Sequence, residues 1–64
     1  SKYIIGLRLR KAAELLENKD HLVKEVASMV GYNDQYYFSK EFKKYYNVSP
    51  SVYQSNIIIR KEAK

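Results

Sequence analysis

Apolar residues recur at spacings of three and four along most of this 64-residue chain, which is the period of an α-helix. The strict alternation of apolar and polar residues that indicates a strand does not occur. Only two glycines and one proline interrupt the pattern. We therefore predict an all-α fold of short helices joined by tight turns. The four helices are expected near residues 3–17, 22–30, 35–46 and 50–60.

The first two predicted helices each carry one apolar face. In the first helix this face consists of Ile5, Leu9, Ala12, Ala13 and Leu16. In the second it consists of Leu22, Val23, Val26, Ala27 and Val30. Gly6 weakens the first helix near its start, by up to ~1 kcal/mol relative to alanine. Asp20 is the predicted N-cap of the second helix, and Gly31 is placed to end it in the left-handed region at low steric cost.

Residues with capping chemistry delimit the third and fourth helices. Asp34 is predicted to cap the third helix, and Asn47 is able to end it in the left-handed region. Ser49 and Pro50 combine a hydroxyl N-cap with a proline at the first helical position of the fourth helix. The third helix should turn Phe38, Phe42 and either Tyr45 or Tyr46 inward. The predicted core consists of Leu9, Ala12, Leu16, Val26, Ala27, Val30, Phe38, Phe42 and Tyr53.

The stretch from Val23 to Phe42 has the layout of a helix-turn-helix. Ala27 occupies its fifth position, where two helices cross with little room for a side chain. Gly31 occupies the ninth position, where the turn needs a positive φ. The second half fits less well, because Phe38 and Phe42 are displaced from the usual apolar positions. The spacing by itself is a moderate signal for this motif.

Length and composition indicate one small domain with a narrow stability margin. The chain has no cysteine, and its single histidine, His21, cannot build a metal site alone. We therefore expect a piece of a longer protein, or an oligomer. The longest aliphatic run, 57–59, is far shorter than the about 20 residues of a membrane span, and no signal-peptide pattern is visible. A cytoplasmic location and no cofactor are expected.

The charge balance favours a polyanionic partner. Twelve Lys and Arg residues oppose seven Asp and Glu residues, for a formal net charge of +5. Such a bias is typical of proteins that bind DNA, RNA or an anionic membrane surface. The third helix carries Lys40, Lys43 and Lys44 against a single acidic residue, Glu41.

The start of the third helix has the side chains of a base-reading surface. Glutamine pairs with adenine and lysine donates to guanine, and a recognition helix inserts its N-terminal residues into the major groove. The predicted base readers are Gln35, Tyr36, Ser39 and Lys40. Lys43 and Lys44 are predicted phosphate contacts, although a merely solvated face is the alternative. Ser51 joins them through the first amides of the fourth helix.

Several blocks together resemble the DNA-binding domain of AraC/XylS-type transcription regulators. They are Arg8-Leu9 with Ala12 and Leu15-Leu16, then VKEVASMVGYND, YFSKEFKKYYNVSP and Tyr53, over residues 3–54. The resemblance implies a small, homeodomain-like bundle. It equates residues 1–18 with the helix that joins two helix-turn-helix units, 20–47 with the second unit, and 49–60 with a C-terminal helix. The first unit would be missing.

The same resemblance implies partners. These are double-stranded DNA at a promoter or operator and RNA polymerase through a parent protein that can be a homodimer; no membrane partner is implied. Tyr32, Tyr37 and Tyr53 match core positions, whereas Tyr36 should face the groove. Gln54 stands where arginine is common in the family, which would cost one phosphate or acidic contact.

Two further side chains have mainly structural interpretations. Arg8 flanks the buried face, so we expect it to pair with Glu25 or with a helix end more than with a phosphate. His21 is expected to be an ordinary surface residue near a helix start.

Two other function classes compete with DNA binding. A helix-turn-helix that has become a protein-interaction module is the rival hypothesis, but it gives no reason for the three lysines of the third helix. An enzyme is disfavoured because no paired nucleophile and base, carboxylate dyad or glycine-rich phosphate loop is present.

Overall fold

The computed structural model describes the backbone of residues 2–62 and the side chains of residues 6–60. It contains four helices: α1 (Lys2–Leu16), α2 (Val23–Met29), α3 (Gln35–Tyr46) and α4 (Pro50–Glu62). No strand occurs within residues 2–62, so the all-α prediction is confirmed. The predicted bounds of α3 are also confirmed, whereas α2 is shorter than expected by one residue at each end.

A single core lies between the four helices, with α1 packed against each of the other three. Its buried members are Leu9, Ala12, Ala13, Leu16, Val26, Ala27, Val30, Tyr32, Phe38 and Phe42. All predicted core residues are among them except Tyr53, which is half-buried against the cluster. The predicted inward position of Ile5 lies outside the side chains that the structure describes.

An aromatic cluster joins α3 to α4. The Phe42 ring centroid lies 4.7 Å from that of Tyr46 and 5.4 Å from that of Tyr53. Stacked and edge-on aromatic pairs at such distances add stability beyond the burial of their area. Tyr46 is thus the tyrosine that packs on the core, while Tyr45 is half exposed.

Most of the predicted helix ends are confirmed. The Tyr36 backbone N–H donates to Asp34 Oδ1 at 2.9 Å, so Asp34 caps α3. Asn47 ends α3 with φ 69°, and Gly31 follows α2 with φ 94°, both in the left-handed region. Ser49 Oγ accepts from the Val52 N–H at 3.3 Å, and Pro50 begins α4.

The predicted N-cap of α2 is wrong. Leu22, not Asp20, occupies the N-cap position, and its backbone N–H donates to Glu25 Oε1 at 3.0 Å. This is the half of a capping box that a glutamate at the third helical position supplies. Asp20 lies two residues upstream in the loop, where its own N–H donates to Asn18 Oδ1 at 2.9 Å.

Gly6 is buried where α3 approaches α1. A β-carbon built on Gly6 would stand 3.2 Å from the Tyr45 hydroxyl and 3.6 Å from its ring. The glycine that weakens α1 in isolation therefore sits where the last turn of α3 lies against the helix.

A hydrogen-bonded clasp ties the loop between α1 and α2 to α4. Gln54 Nε2 donates to the carbonyl oxygen of His21 at 2.8 Å and to that of Asn18 at 3.2 Å. His21 Nδ1 lies 2.8 Å from the Leu15 carbonyl oxygen, and the side chain is half-buried. His21 is therefore not the ordinary surface residue that the sequence suggested. Gln54 makes contacts that the family comparison did not anticipate.

Candidate nucleic-acid interface

The neighbours of α3 define which of its sides faces solvent. Tyr45 lies over Gly6 of α1, and Phe42 packs edge-on against Tyr53 of α4. Successive residues of a helix are rotated by about 100° around its axis. The side of α3 opposite to Phe38 and Phe42 is therefore free, and it begins with Tyr36, which is 77% exposed.

The four predicted base readers all lie in the first half of α3. Gln35, Tyr36 and Lys40 are exposed, whereas Ser39 is half-buried. They do not share one narrow face, because Gln35 and Lys40 are about 140° apart around the axis. Gln35 is exposed because it is the first residue of α3. The structure thus brings the four together as one broad, polar helix end.

The two predicted phosphate contacts of α3 point to different edges of this surface. Lys43 and Lys44 are both exposed, and neither forms an ion pair with a described residue. They are about 100° apart around the helix. Lys43 lies toward Ser39, on the α4 side, whereas Lys44 lies toward Tyr37, on the α1 side. Two unneutralised cations therefore flank the first-half residues.

Ser51 belongs to a separate element. It is exposed in the first turn of α4, with its Oγ 3.5 Å from that of Ser49. Ser49 caps α4, as the sequence predicted. No hydrogen bond of the described residues links Ser51 to the lysines of α3.

Tyr37 is exposed, so its predicted core role is wrong. It is 53% exposed, and its ring centroid lies 5.9 Å from that of Tyr32. A helical projection contains the signal that was missed, since Tyr37 lies about 140° from Phe42 around α3. Tyr32 itself is buried as predicted, at 8% exposure.

Arg8 contacts the turn and not Glu25. The described residues show no ion pair between the two, and the Glu25 carboxylate accepts from Leu22 instead. The Arg8 Cζ lies 5.9 Å from the Tyr32 ring centroid and 3.7 Å from the point where a Gly31 β-carbon would stand. Arg8 thus lies beside the turn that follows α2, but the described residues show no hydrogen bond from it to a helix end, so that pairing stays a prediction.

The electrostatics of the turn centre on Tyr32. Burial raises the pKa of its hydroxyl, the carboxylate of Glu41 adds to this increase, and the positive charge of Arg8 opposes it. The two charges thus shift the pKa of the Tyr32 hydroxyl in opposite senses.

Neither a metal centre nor a membrane span emerges from the part of the chain that the structure describes. Its His, Asp and Glu residues form no group that could hold an ion. None of its helices combines the length and the apolar character needed to cross a bilayer.

A family profile described as "Helix-turn-helix domain" matches residues 1–56. The chain belongs to the AraC-type helix-turn-helix family. The raffinose operon transcriptional regulatory protein RafR of Pediococcus pentosaceus is 43% identical to this AraC-type domain, over 88% of the chain and 20% of the relative. The MmsAB operon regulatory protein of Pseudomonas aeruginosa is 38% identical, over 88% of the chain and 18% of the relative.

A third relative is a much longer protein. Histidine kinase P4 of Formosa agariphila is 38% identical over 86% of the AraC-type domain, which covers 4% of that protein. The domain spans about a fifth of the two operon regulators. No solved structure matches it.

These findings establish the general function of the domain. It binds DNA sequence-specifically in transcription regulation, and its family is one of DNA-binding regulators and not of enzymes. The exposed lysines of α3 argue against the rival hypothesis of a protein-interaction module.

Proposed function

We propose that α3 is the recognition helix of this domain and enters the major groove of a promoter or operator. The observation that carries this proposal is the division of α3 into two sides. Phe38 and Phe42 are fully buried on one side, and the opposite side carries polar and cationic groups that form no ion pair with any described residue. A helix of this kind presents its N-terminal residues to the base edges.

The base-reading group is Gln35, Tyr36, Ser39 and Lys40. The side-chain amide of Gln35 is of the type that pairs with adenine, and Lys40 donates to the O6 and N7 atoms of guanine. Tyr36 is 77% exposed, and in this docking it reaches the groove floor or a thymine methyl group. Ser39 offers only its hydroxyl, because the rest of the residue is half-buried.

The phosphate-contacting group is Lys43, Lys44 and Ser51. Because Lys43 and Lys44 flank α3 on different sides, they contact the two strands that border the groove. Ser51 adds the positive end of the α4 dipole and a hydroxyl, which together favour an anion.

Salt titration of duplex binding tests this assignment. Each phosphate contact contributes about 0.9 to the slope of log affinity against log salt concentration. Lys43→Ala and Lys44→Ala should each reduce that slope by about one. Lys24→Ala is the matched control, because Lys24 is an exposed lysine on α2. Equal slopes for all three variants would refute the docking of α3.

The parent protein is proposed by extension from the operon regulators. Residues 1–18 act as the helix that joins two units, 20–47 as the second helix-turn-helix, and 49–60 as its C-terminal support. The parent acts in the cytoplasm, contacts RNA polymerase and binds DNA as a homodimer or monomer. Sedimentation of the full regulator with and without operator DNA distinguishes those two states.

A further inference from the structure

Arg8 of α1 and Tyr37 of α3 each contact the same buried ring, that of Tyr32. The Arg8 Cζ and the Tyr37 ring centroid each lie 5.9 Å from the centroid of Tyr32. Tyr32 is in turn fixed against Phe38, with ring centroids 5.3 Å apart. The core thus positions both groups, while Arg8 and Tyr37 themselves remain exposed.

The Arg8 guanidinium has no acidic partner in the described part of the chain. The ion pair that α1 does form joins Lys11 Nζ to Glu14 Oε2 at 3.7 Å. Glu41 is half-buried one turn after Tyr37 and raises the pKa of Tyr32, but it forms no ion pair with Arg8 among the described residues. A cation that is positioned by a ring but not neutralised is available to an anion from solvent.

The position of Tyr37 on α3 aligns this pair with the recognition surface. Tyr37 and Lys44 are separated by seven residues and so lie about 20° apart around the helix. Both lie at the edge of the exposed surface that is nearer to α1, the helix that carries Arg8. Arg8, Tyr37 and Lys44 therefore line one edge of α3, and Lys43 lines the other.

We propose that Arg8 and Tyr37 bind the phosphate backbone of the DNA strand that passes along the α1 edge of the recognition helix. The guanidinium donates two parallel N–H groups to phosphate oxygens, and the phenol donates its O–H. Lys44 adds a third phosphate contact along the same edge of α3. This inference rests on the proposed docking of α3, and it assigns DNA contact to the joining helix and to a tyrosine that family position suggested was core.

The purely structural alternative is that Arg8 only stacks on Tyr32. The two roles differ in the quantity that they change. Loss of a stacking contact lowers the thermal midpoint of the folded domain but leaves the salt slope of DNA binding unchanged. Loss of a phosphate contact lowers the slope by about 0.9.

The test compares Arg8→Gln with Arg10→Gln by titrating random duplex DNA at increasing salt. Both changes remove one arginine from α1, but Arg10 lies about 160° from Arg8 around the helix and faces Tyr46. We expect Arg8→Gln to weaken binding about tenfold or more and to flatten the slope by about one. Arg10→Gln should retain the slope of the unsubstituted chain.

Two conservative variants keep the proposal testable if Arg8→Gln does not fold. Arg8→Lys keeps the charge, so it should keep the slope while losing affinity because the bidentate geometry is gone. Tyr37→Phe keeps the ring on Tyr32 and should weaken binding about two- to tenfold. A normal slope with Arg8→Gln and full affinity with Tyr37→Phe would overturn this inference alone. Salt-independent binding by the unsubstituted chain would overturn the docking of α3 and this inference with it.

Discussion

The side-chain amide of Gln54 donates a 2.8 Å hydrogen bond to the backbone carbonyl of His21, which lies 33 residues earlier in the chain. The same amide nitrogen contacts the Asn18 carbonyl at 3.2 Å. One side chain of α4 thus satisfies two carbonyls of the loop that precedes α2. The last helix of the domain, α4, thus fixes the loop that leads into the helix-turn-helix.

Gln54→Ala should therefore destabilise the domain by about 1–3 kcal/mol, because the part-buried hydrogen bond to the His21 carbonyl and the exposed one to the Asn18 carbonyl are both lost. Urea unfolding followed by circular dichroism measures this change. Ser55→Ala is the matched control, since Ser55 is an exposed neighbour on α4. Identical unfolding midpoints for the two variants would show that the clasp contributes nothing to stability.

The two glycines should respond to alanine in opposite directions. Gly6→Ala gains up to ~1 kcal/mol of helix propensity, and the only tight contact of the new methyl group is the end of the half-exposed Tyr45 side chain. We expect a net gain in stability. The methyl group of Gly31→Ala would make only an ordinary van der Waals contact with Arg8, at 3.7 Å, but the residue must adopt φ 94°, which costs about 1–2 kcal/mol.

Thermal melting of both glycine variants gives the comparison. Gly6→Ala combined with Tyr45→Phe should be at least as stable as Tyr45→Phe alone, because the hydroxyl is then absent. A lower melting point for Gly6→Ala in both backgrounds would show that α1 and α3 cannot separate by the few tenths of an ångström required.

Ala27→Leu should destabilise the domain by about 1–3 kcal/mol, because Ala27 is 2% exposed and belongs to the core. For a chain of this size that cost is a large part of the total stability. Calorimetric melting measures it, with the exposed Ser28→Leu as the control for added apolar area. An unchanged midpoint for Ala27→Leu would mean that the fifth position has room for a larger side chain.

Stability should fall in alkaline solution. Burial raises the pKa of Tyr46 above the ordinary value of 10.0, and neighbouring Tyr53 and Tyr45 add to the effect. The unfolded chain therefore releases its protons first as pH rises. The stabilisation is fully present below pH 10.0 and is lost as pH rises through the higher pKa of the folded state.

Urea midpoints at about pH 9 and about pH 11 measure this loss. Tyr46→Phe should show a smaller decrease between the two conditions than the unsubstituted chain. Tyr36→Phe, at a residue 77% exposed, is the control for removal of a phenol. Equal decreases in all three proteins would rule out burial of Tyr46 as the cause.

Local chemistry was predictable from the sequence, and long-range contacts were not. Asp34 caps the start of α3, and Gly31 and Asn47 follow the ends of α2 and α3, as predicted. Such capping is predictable because it depends on a few adjacent residues. The N-cap of α2 was misassigned because a capping glutamate three residues inside the helix allows an apolar residue at the N-cap.

The candidate site shows the same division. Helical spacing was sufficient to place Lys40 and Lys44 on the exposed side of α3. It did not reveal that Arg8 of α1 reaches the turn, because the packing of α1 against Tyr32 depends on the tertiary fold. Family position predicted a core role for Tyr37, whereas its angular position on α3 places it well away from Phe42. Its exposure agrees with the angular position.

In the proposed docking, the first half of α3 reads bases and its second half contacts phosphates. The most direct test selects bound sequences from a randomised duplex library with Lys40→Ala and Lys44→Ala in the full regulator. Lys40→Ala should relax preference at one or two positions, at a cost of about 1–3 kcal/mol on the preferred site only. Lys44→Ala should keep the preference and weaken binding to every sequence. If Lys44→Ala changed the preferred sequence while Lys40→Ala left it intact, the assignment of readers and anchors along α3 would be contradicted.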